Sequence, residues 1–91
     1  MKAIIYSKDY CQYCVRAKAL LDKLGIEYQE FVIGDVGSKT LNANQQWATR
    51  EDLLERAPNA RTVPQIWLDG EHVGGYTELA AKMQETSAVI A

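Results

Sequence analysis

Residues 3–21, Ala3-Ile4-Ile5-Tyr6-Ser7-Lys8-Asp9-Tyr10-Cys11-Gln12-Tyr13-Cys14-Val15-Arg16-Ala17-Lys18-Ala19-Leu20-Leu21, switch hydrophobic period at Cys11. Ala3 to Ser7 alternates and is rich in Ile and Tyr, which predicts a short strand ending at the polar pair Lys8-Asp9. From Gln12 to Leu24 the apolar residues Cys14, Ala17, Leu20, Leu21 and Leu24 recur at three- and four-residue spacings. That pattern predicts an amphipathic helix, stopped by Gly25. Two cysteines separated by two residues therefore sit where a strand gives way to a helix, and the place carries more information than the spacing alone.

The place also makes the two sulfurs unequal. Cys11 falls ahead of the helix, where the first backbone N–H groups lack intrahelical partners and the helix dipole is positive, so a thiolate is stabilised there. Thiols in such sites have pKa values of roughly 3.5–7.5, against about 8.5 when free. Lys8 adds positive charge nearby. Cys14 shares the apolar helix face with Ala17 and Leu21, and burial raises a thiol's pKa. Cys11 is thus expected to attack a disulfide, and Cys14 to resolve the mixed disulfide that results.

Outward from this segment, Glu27 to Ile33 predicts a second strand and completes a βαβ unit. Gly34 to Asn44 holds two glycines, Ser38, Thr40 and two asparagines, the composition of a loop leading to another helix. That helix is expected from about Gln45 to Arg56, with Trp47, Leu53, Leu54 and Ala57 inward and Arg50 on the margin of the stripe. Pro58-Asn59 breaks it. Gln65 to Leu68 and Glu71 to Gly74 read as brief strands around Asp69-Gly70, a strong hairpin signal. Gly75 then turns into a last helix through Met83. The order β-α-β-α-β-β-α predicts an α/β fold, a four-stranded mixed sheet flanked by helices.

At 91 residues, the chain is expected to form one domain over residues 1–91. Its 47% hydrophobic and 24% charged residues suit a compact globular protein. A net charge of -2 argues against general affinity for nucleic acid, which rests on many Lys and Arg contacts to phosphate. No apolar run approaches the roughly 20 residues of a membrane span. The opening Met1-Lys2-Ala3-Ile4-Ile5 is too short for a secretory h-region, and a cytoplasmic protein is expected. Two cysteines are too few for a secreted disulfide framework.

With these motifs the chain resembles glutaredoxins, the glutathione-dependent members of the thioredoxin-like fold. The resemblance covers nearly the whole chain. It rests on Tyr6-Ser7-Lys8, on Cys11-Gln12-Tyr13-Cys14, on Arg61-Thr62-Val63-Pro64-Gln65 and on Gly74-Gly75-Tyr76-Thr77-Glu78. Thioredoxin proper is a poorer match, because Tyr10 rather than tryptophan precedes Cys11 and Gly-Pro does not separate the cysteines. The resemblance implies an enzyme that reduces protein disulfides and glutathione mixed disulfides. Glutathione would be its co-substrate, with no tightly bound cofactor or metal. Glutathionylated proteins and ribonucleotide reductase enter as candidate partners, and a monomer is expected. It also implies a cis Val63-Pro64 bond facing the dithiol.

The same resemblance places a glutathione groove around Cys11. Lys8 and Arg50 would approach the glycine carboxylate, and Tyr13 would line the groove beside the sulfur. Val63, ahead of Pro64, would pair its backbone with the tripeptide's cysteine as an added strand does. Thr77 and Glu78 would meet the γ-glutamyl carboxylate and ammonium at the start of the last helix, with Gly75 permitting close approach. Thr62 and Tyr76, from the same two motifs, complete the set. Gln12 stands where many dithiol relatives have proline, and Glu78 where many have aspartate.

Two other chemistries compete for the cysteines. Half of a zinc site would need two further ligands, yet His72 is the one other good nitrogen or sulfur donor and otherwise reads as a surface residue. A [2Fe–2S] centre would need Cys11 from two protomers and two glutathiones, since one chain offers a single exposed thiolate.

Overall fold

The computed structural model describes residues 1–90, with side chains described through Gln84. The chain runs β1 (Lys2–Lys8), α1 (Gln12–Lys23), β2 (Glu27–Ile33), β3 (Gln45–Ala48), α2 (Arg50–Arg56), β4 (Gln65–Leu68), β5 (Glu71–Gly74) and α3 (Tyr76–Ile90). The strands form one mixed sheet in the order β3-β2-β1-β4-β5. β1 runs parallel to β2, and β2 parallel to β3, while β4 is antiparallel to both β1 and β5. The expected α/β architecture holds with five strands rather than four.

The extra strand comes from the segment expected to begin a helix at Gln45. Gln45 to Ala48 instead pairs in parallel with Glu30 to Ile33, so the loop of residues 34–44 delivers the chain to a sheet edge. The helix starts only after Thr49, whose side chain accepts from the Asp52 N–H while the Asp52 carboxylate accepts from the Thr49 N–H. Such a reciprocal cap fixes a helix start. Trp47 consequently belongs to the edge strand, half-buried beside Gly34, and not to the inner face of α2. Arg50 becomes the first helical residue and is exposed. The last helix continues past Met83 to Ile90.

Alternation along β1 sorts the core into two layers. Ala3 and Ile5 join Ile66 and Leu68 on one face, against Ala17 and Leu21 of α1 and Leu79 of α3. Tyr6 and Trp67 point to the other, where Leu53 of α2, Ala57 just past its end and Ala48 cover them. Tyr6 stacks on Phe31 with ring centroids 4.9 Å apart, and the Arg56 guanidinium lies 5.8 Å from the Tyr6 ring centre. Gly25 adopts φ +69 to end α1, and the backbone N–H groups of Gly25 and Ile26 return to the Asp22 and Leu21 carbonyls. Asp69 and Gly70 both take positive φ, as the two-residue hairpin turn requires. Both devices leave β1, α1 and the β4–β5 hairpin in fixed register, and the ends of these elements build the site.

Candidate active site

Three chain segments converge at one end of the sheet. The first is the turn from β1 into α1, where Tyr10 takes φ +58 with its side chain fully exposed. A tyrosine in that region costs free energy, and the turn it makes brings Cys11 to the N-cap of α1. The Cys14 N–H donates to Cys11 Sγ at 3.1 Å, so the sulfur occupies the place that a serine or aspartate oxygen fills in an ordinary cap. Cys11 and Cys14 form a disulfide, with Cα atoms 5.2 Å apart. Cys14 is 1% exposed and Cys11 intermediate, the difference expected from the helix face.

The second segment is the turn ahead of β4. The Val63-Pro64 bond is cis, and the Val63 carbonyl oxygen lies 3.8 Å from Cys11 Sγ. Gln65, buried behind the turn, donates through Nε2 to the Thr62 carbonyl and receives His72 Nε2 at 2.8 Å on its own amide oxygen. His72, whose ring also stacks on Trp67, is thus exposed but engaged rather than a plain surface residue. The third segment is the start of α3. Gly75 caps it, donating its N–H to Glu78 Oε1 at 2.9 Å and accepting from the Leu79 N–H. A Cβ on Gly75 would sit 3.3 Å from the Pro64 carbonyl oxygen, so this helix start packs on the cis-proline turn at a distance that a glycine accommodates. Tyr13 and Tyr76 close the arrangement, their ring centroids 6.3 Å apart, with the Arg16 guanidinium 5.4 Å above the Tyr13 ring centre.

Two hollows share Lys8. Lys8, Arg50, Thr62 and Val63 line a narrow cavity of about 110 Å³, together with Arg61 and Leu53. Four of these are expected site residues, and Arg61, which opens the same motif as Thr62 and Val63, joins them. Thr77 and Glu78 are exposed on the first turn of α3. At the sulfurs themselves a wider hollow of about 460 Å³ is walled by Ser7, Asp9, Cys11, Cys14, Lys18, Glu30 and their neighbours. Glu30, unanticipated, is 3% exposed and takes bonds from Ser7 Oγ, Lys18 Nζ and Gln45 Nε2. Burial by itself would raise its pKa, but the bonds from Ser7, Lys18 and Gln45 and the charge of Lys18 outweigh it and hold the carboxyl below its ordinary value. The signal was present: Tyr28, Glu30 and Val32 share one inward-facing period, and a carboxylate in that series has to find partners.

A sulfur capping a helix, a buried second sulfur one turn along and the Val63 carbonyl, just ahead of the cis-proline, against the first sulfur form a thiol–disulfide exchange centre. Residues 3–73 match the glutaredoxin family model. The chain belongs to the glutaredoxin family. It is 38% identical over 86 residues to glutaredoxin 1 of Escherichia coli K12, covering 93% of this chain and 95% of that relative. Reduced Escherichia coli glutaredoxin superposes with a TM-score of 0.70 at 37% identity, covering 93% of this chain and 95% of that one. A buckwheat glutaredoxin–glutathione complex gives a TM-score of 0.66 at 30% identity, over 96% of this chain and 72% of the other. This glutaredoxin is therefore a glutathione-dependent thiol–disulfide oxidoreductase working through the Cys11/Cys14 pair, with glutathione as co-substrate. Among the described residues no cluster of three or more His, Cys, Asp or Glu is placed to hold a metal. Among them, too, no helix is long and apolar enough to cross a membrane.

Proposed function

We propose that glutathione lies in the groove between Lys8 and α3, with its cysteine paired to the Val63 backbone and its sulfur on Cys11. The observation that carries this is the Val63 carbonyl 3.8 Å from Cys11 Sγ, with no group among the described residues taking the Val63 N–H. An extended peptide laid there gains strand-like bonds while its sulfur meets Cys11. Glutathione has two carboxylates and one ammonium. Lys8 and Arg50, joined by Arg61, supply positive charge for the glycine carboxylate. The N-terminus of α3 at Tyr76 and Thr77 suits the γ-glutamyl carboxylate, and Glu78 suits the ammonium. Gly75 and Thr62 let the peptide approach, and Tyr13 and Tyr76 wall it. The buckwheat complex with glutathione supports a ligand of this class.

The reaction runs in two ways. In one, Cys11 takes the glutathionyl group from a target, and a second glutathione attacks that mixed disulfide to release oxidised glutathione. In the other, Cys11 opens a protein disulfide and Cys14 displaces the target sulfur; two glutathiones then reduce the Cys11–Cys14 bond. The first route consumes one free glutathione, the other half of the oxidised product coming from the target, and the second route consumes two; each delivers two electrons to one disulfide. The candidate targets are glutathionylated proteins and disulfide enzymes such as ribonucleotide reductase. We infer a monomer that works as one domain. A cytoplasmic setting keeps such a dithiol supplied with reduced thiols.

Two coupled assays test the electron source. Turnover of a glutathionylated peptide should be sustained by glutathione, glutathione reductase and NADPH, and negligible with thioredoxin reductase and NADPH alone. Equal turnover with thioredoxin reductase would overturn the glutathione assignment.

A further inference from the structure

Ser7, Cys11, Cys14, Lys18 and Glu30 line one hollow, and Val63 is not among the residues that line it. Lys18 follows Cys14 by one helical turn, on the same side of α1. Its ammonium meets Glu30 Oε2 at 3.0 Å, and the lysine side chain is 27% exposed against 4% for the glutamate. A buried carboxylate with one cationic partner is costly to maintain, and hydrophobic replacements of similar size are often neutral or stabilising. The exchange reaction as described does not use it. Its place in the hollow that Cys14 also lines gives it a use.

We propose that Lys18 and Glu30 are a positioning pair that sets how readily Cys14 gives up its proton, and with it the reduction potential of the dithiol. This rests on Cys14 being the resolving thiol. In the resolving step the Cys14 thiol loses its proton to solvent through the hollow, and its sulfur attacks Cys11 Sγ. The Cys11–Cys14 bond forms as the bond from Cys11 to the target breaks, and the target sulfur leaves as a thiolate that takes a proton from water. Negative charge thus appears briefly on Cys14, beside the hollow. Glu30 opposes that charge and Lys18 favours it. Balanced against each other they leave Cys14 protonated at rest and able to ionise on demand. The remaining charged or titratable groups facing the hollow are Lys8 from β1, Asp9 and Tyr10 from the turn, Cys11 itself, and Lys39 from the loop of residues 34–44, paired with Asp9. Gln45 of β3 adds a neutral amide against Glu30.

Breaking the pair from its two ends separates this role from a structural one. Glu30→Gln keeps the shape and leaves Lys18 uncompensated, which stabilises thiolate and therefore the reduced dithiol. Lys18→Met leaves the carboxylate uncompensated and does the reverse. The experiment equilibrates each full-length variant with mixtures of reduced and oxidised dithiothreitol, so that glutathione binding plays no part, and follows thiolate absorbance from pH 5 to 9. Glu30→Gln should favour the reduced form by about tenfold in the equilibrium constant, a potential about 30 mV higher. Lys18→Met should shift it the opposite way, and Lys18→Arg should restore the wild-type value. The thiolate titrations should move with matching signs. Shifts in the same direction for Glu30→Gln and Lys18→Met, or wild-type potentials in both, would overturn the proposal. If Lys18→Met does not fold, Glu30→Gln decides alone, and an unchanged or lower potential overturns it.

Discussion

The backbone N–H of Gly75 donates to Glu78 Oε1 at 2.9 Å, so the glutamate side chain closes the start of its own helix. The glycine before it is bound to the same arrangement. Gly74 takes φ +119, and a Cβ there would fall 2.9 Å from Glu78 Oε1. Glu78 therefore has a folding role that its expected contact with the glutathione ammonium does not account for, and the two roles respond differently to substitution.

Glu78→Gln retains an oxygen to accept from Gly75 but removes the charge. Its unfolding midpoint in urea should stay near wild type while the KM for glutathione rises several-fold. Glu78→Ala removes both and should lose about 1 kcal/mol of stability as well. A wild-type KM in Glu78→Gln would confine the residue to capping.

Lys8, Arg50 and Arg61 share one narrow cavity beside Val63, and like charges held together favour an anion between them. Replacing Lys8 or Arg50 by alanine should raise the glutathione KM several-fold with little change in kcat. Raising the salt concentration should reproduce part of that loss in the wild-type enzyme, because exposed charges are screened within about 10 Å at 0.1 M. Steady-state kinetics at low and high salt measure both effects. If Arg50→Ala leaves KM unchanged, Arg50 is a helix-surface residue and Arg61 takes its place.

Glu30 also makes the fold sensitive to acid. Its folded-state pKa lies below the ordinary 4.5, so the folded form binds fewer protons than the unfolded one in this range. The stability it contributes is fully present above about pH 4.5 and is lost as pH falls through the lower folded-state value. Urea unfolding between pH 7 and pH 3 should show the wild type losing more stability than Glu30→Gln, whose own deficit appears at neutral pH. Parallel pH profiles for the two proteins would show that the Glu30 carboxylate carries no net stabilisation.

Much of this was legible in residue pattern. The period change at Cys11 located both the strand-to-helix junction and the unequal sulfurs, because helix geometry places Cys14 on the same face as Ala17 and Leu21. The Asp69-Gly70 hairpin was equally local. The error at Gln45 arose because Trp47, Leu53 and Leu54 keep a helical spacing across a boundary, while strand pairing with residues 30–33 is a long-range interaction that no local period reports. Thr49 and Asp52 held the signal for the true helix start. Pairings between distant segments, such as Lys18 with Glu30 or Tyr13 with Tyr76, emerge only once the sheet order is known.

Cys11 as the attacking sulfur and Cys14 as the resolving one is the central claim, and Cys14→Ser tests it most directly. The variant and its counterpart Cys11→Ser are assayed on a glutathionylated peptide and on a disulfide-bonded protein, with glutathione and its reductase in excess. Removing a glutathionyl group needs only Cys11 and a second glutathione, whereas fast release of a protein mixed disulfide needs an intramolecular thiol. Cys14→Ser should therefore keep deglutathionylation and lose most reduction of the protein disulfide, and Cys11→Ser should lose both. Complete loss of deglutathionylation in Cys14→Ser, or its survival in Cys11→Ser, would contradict the assignment.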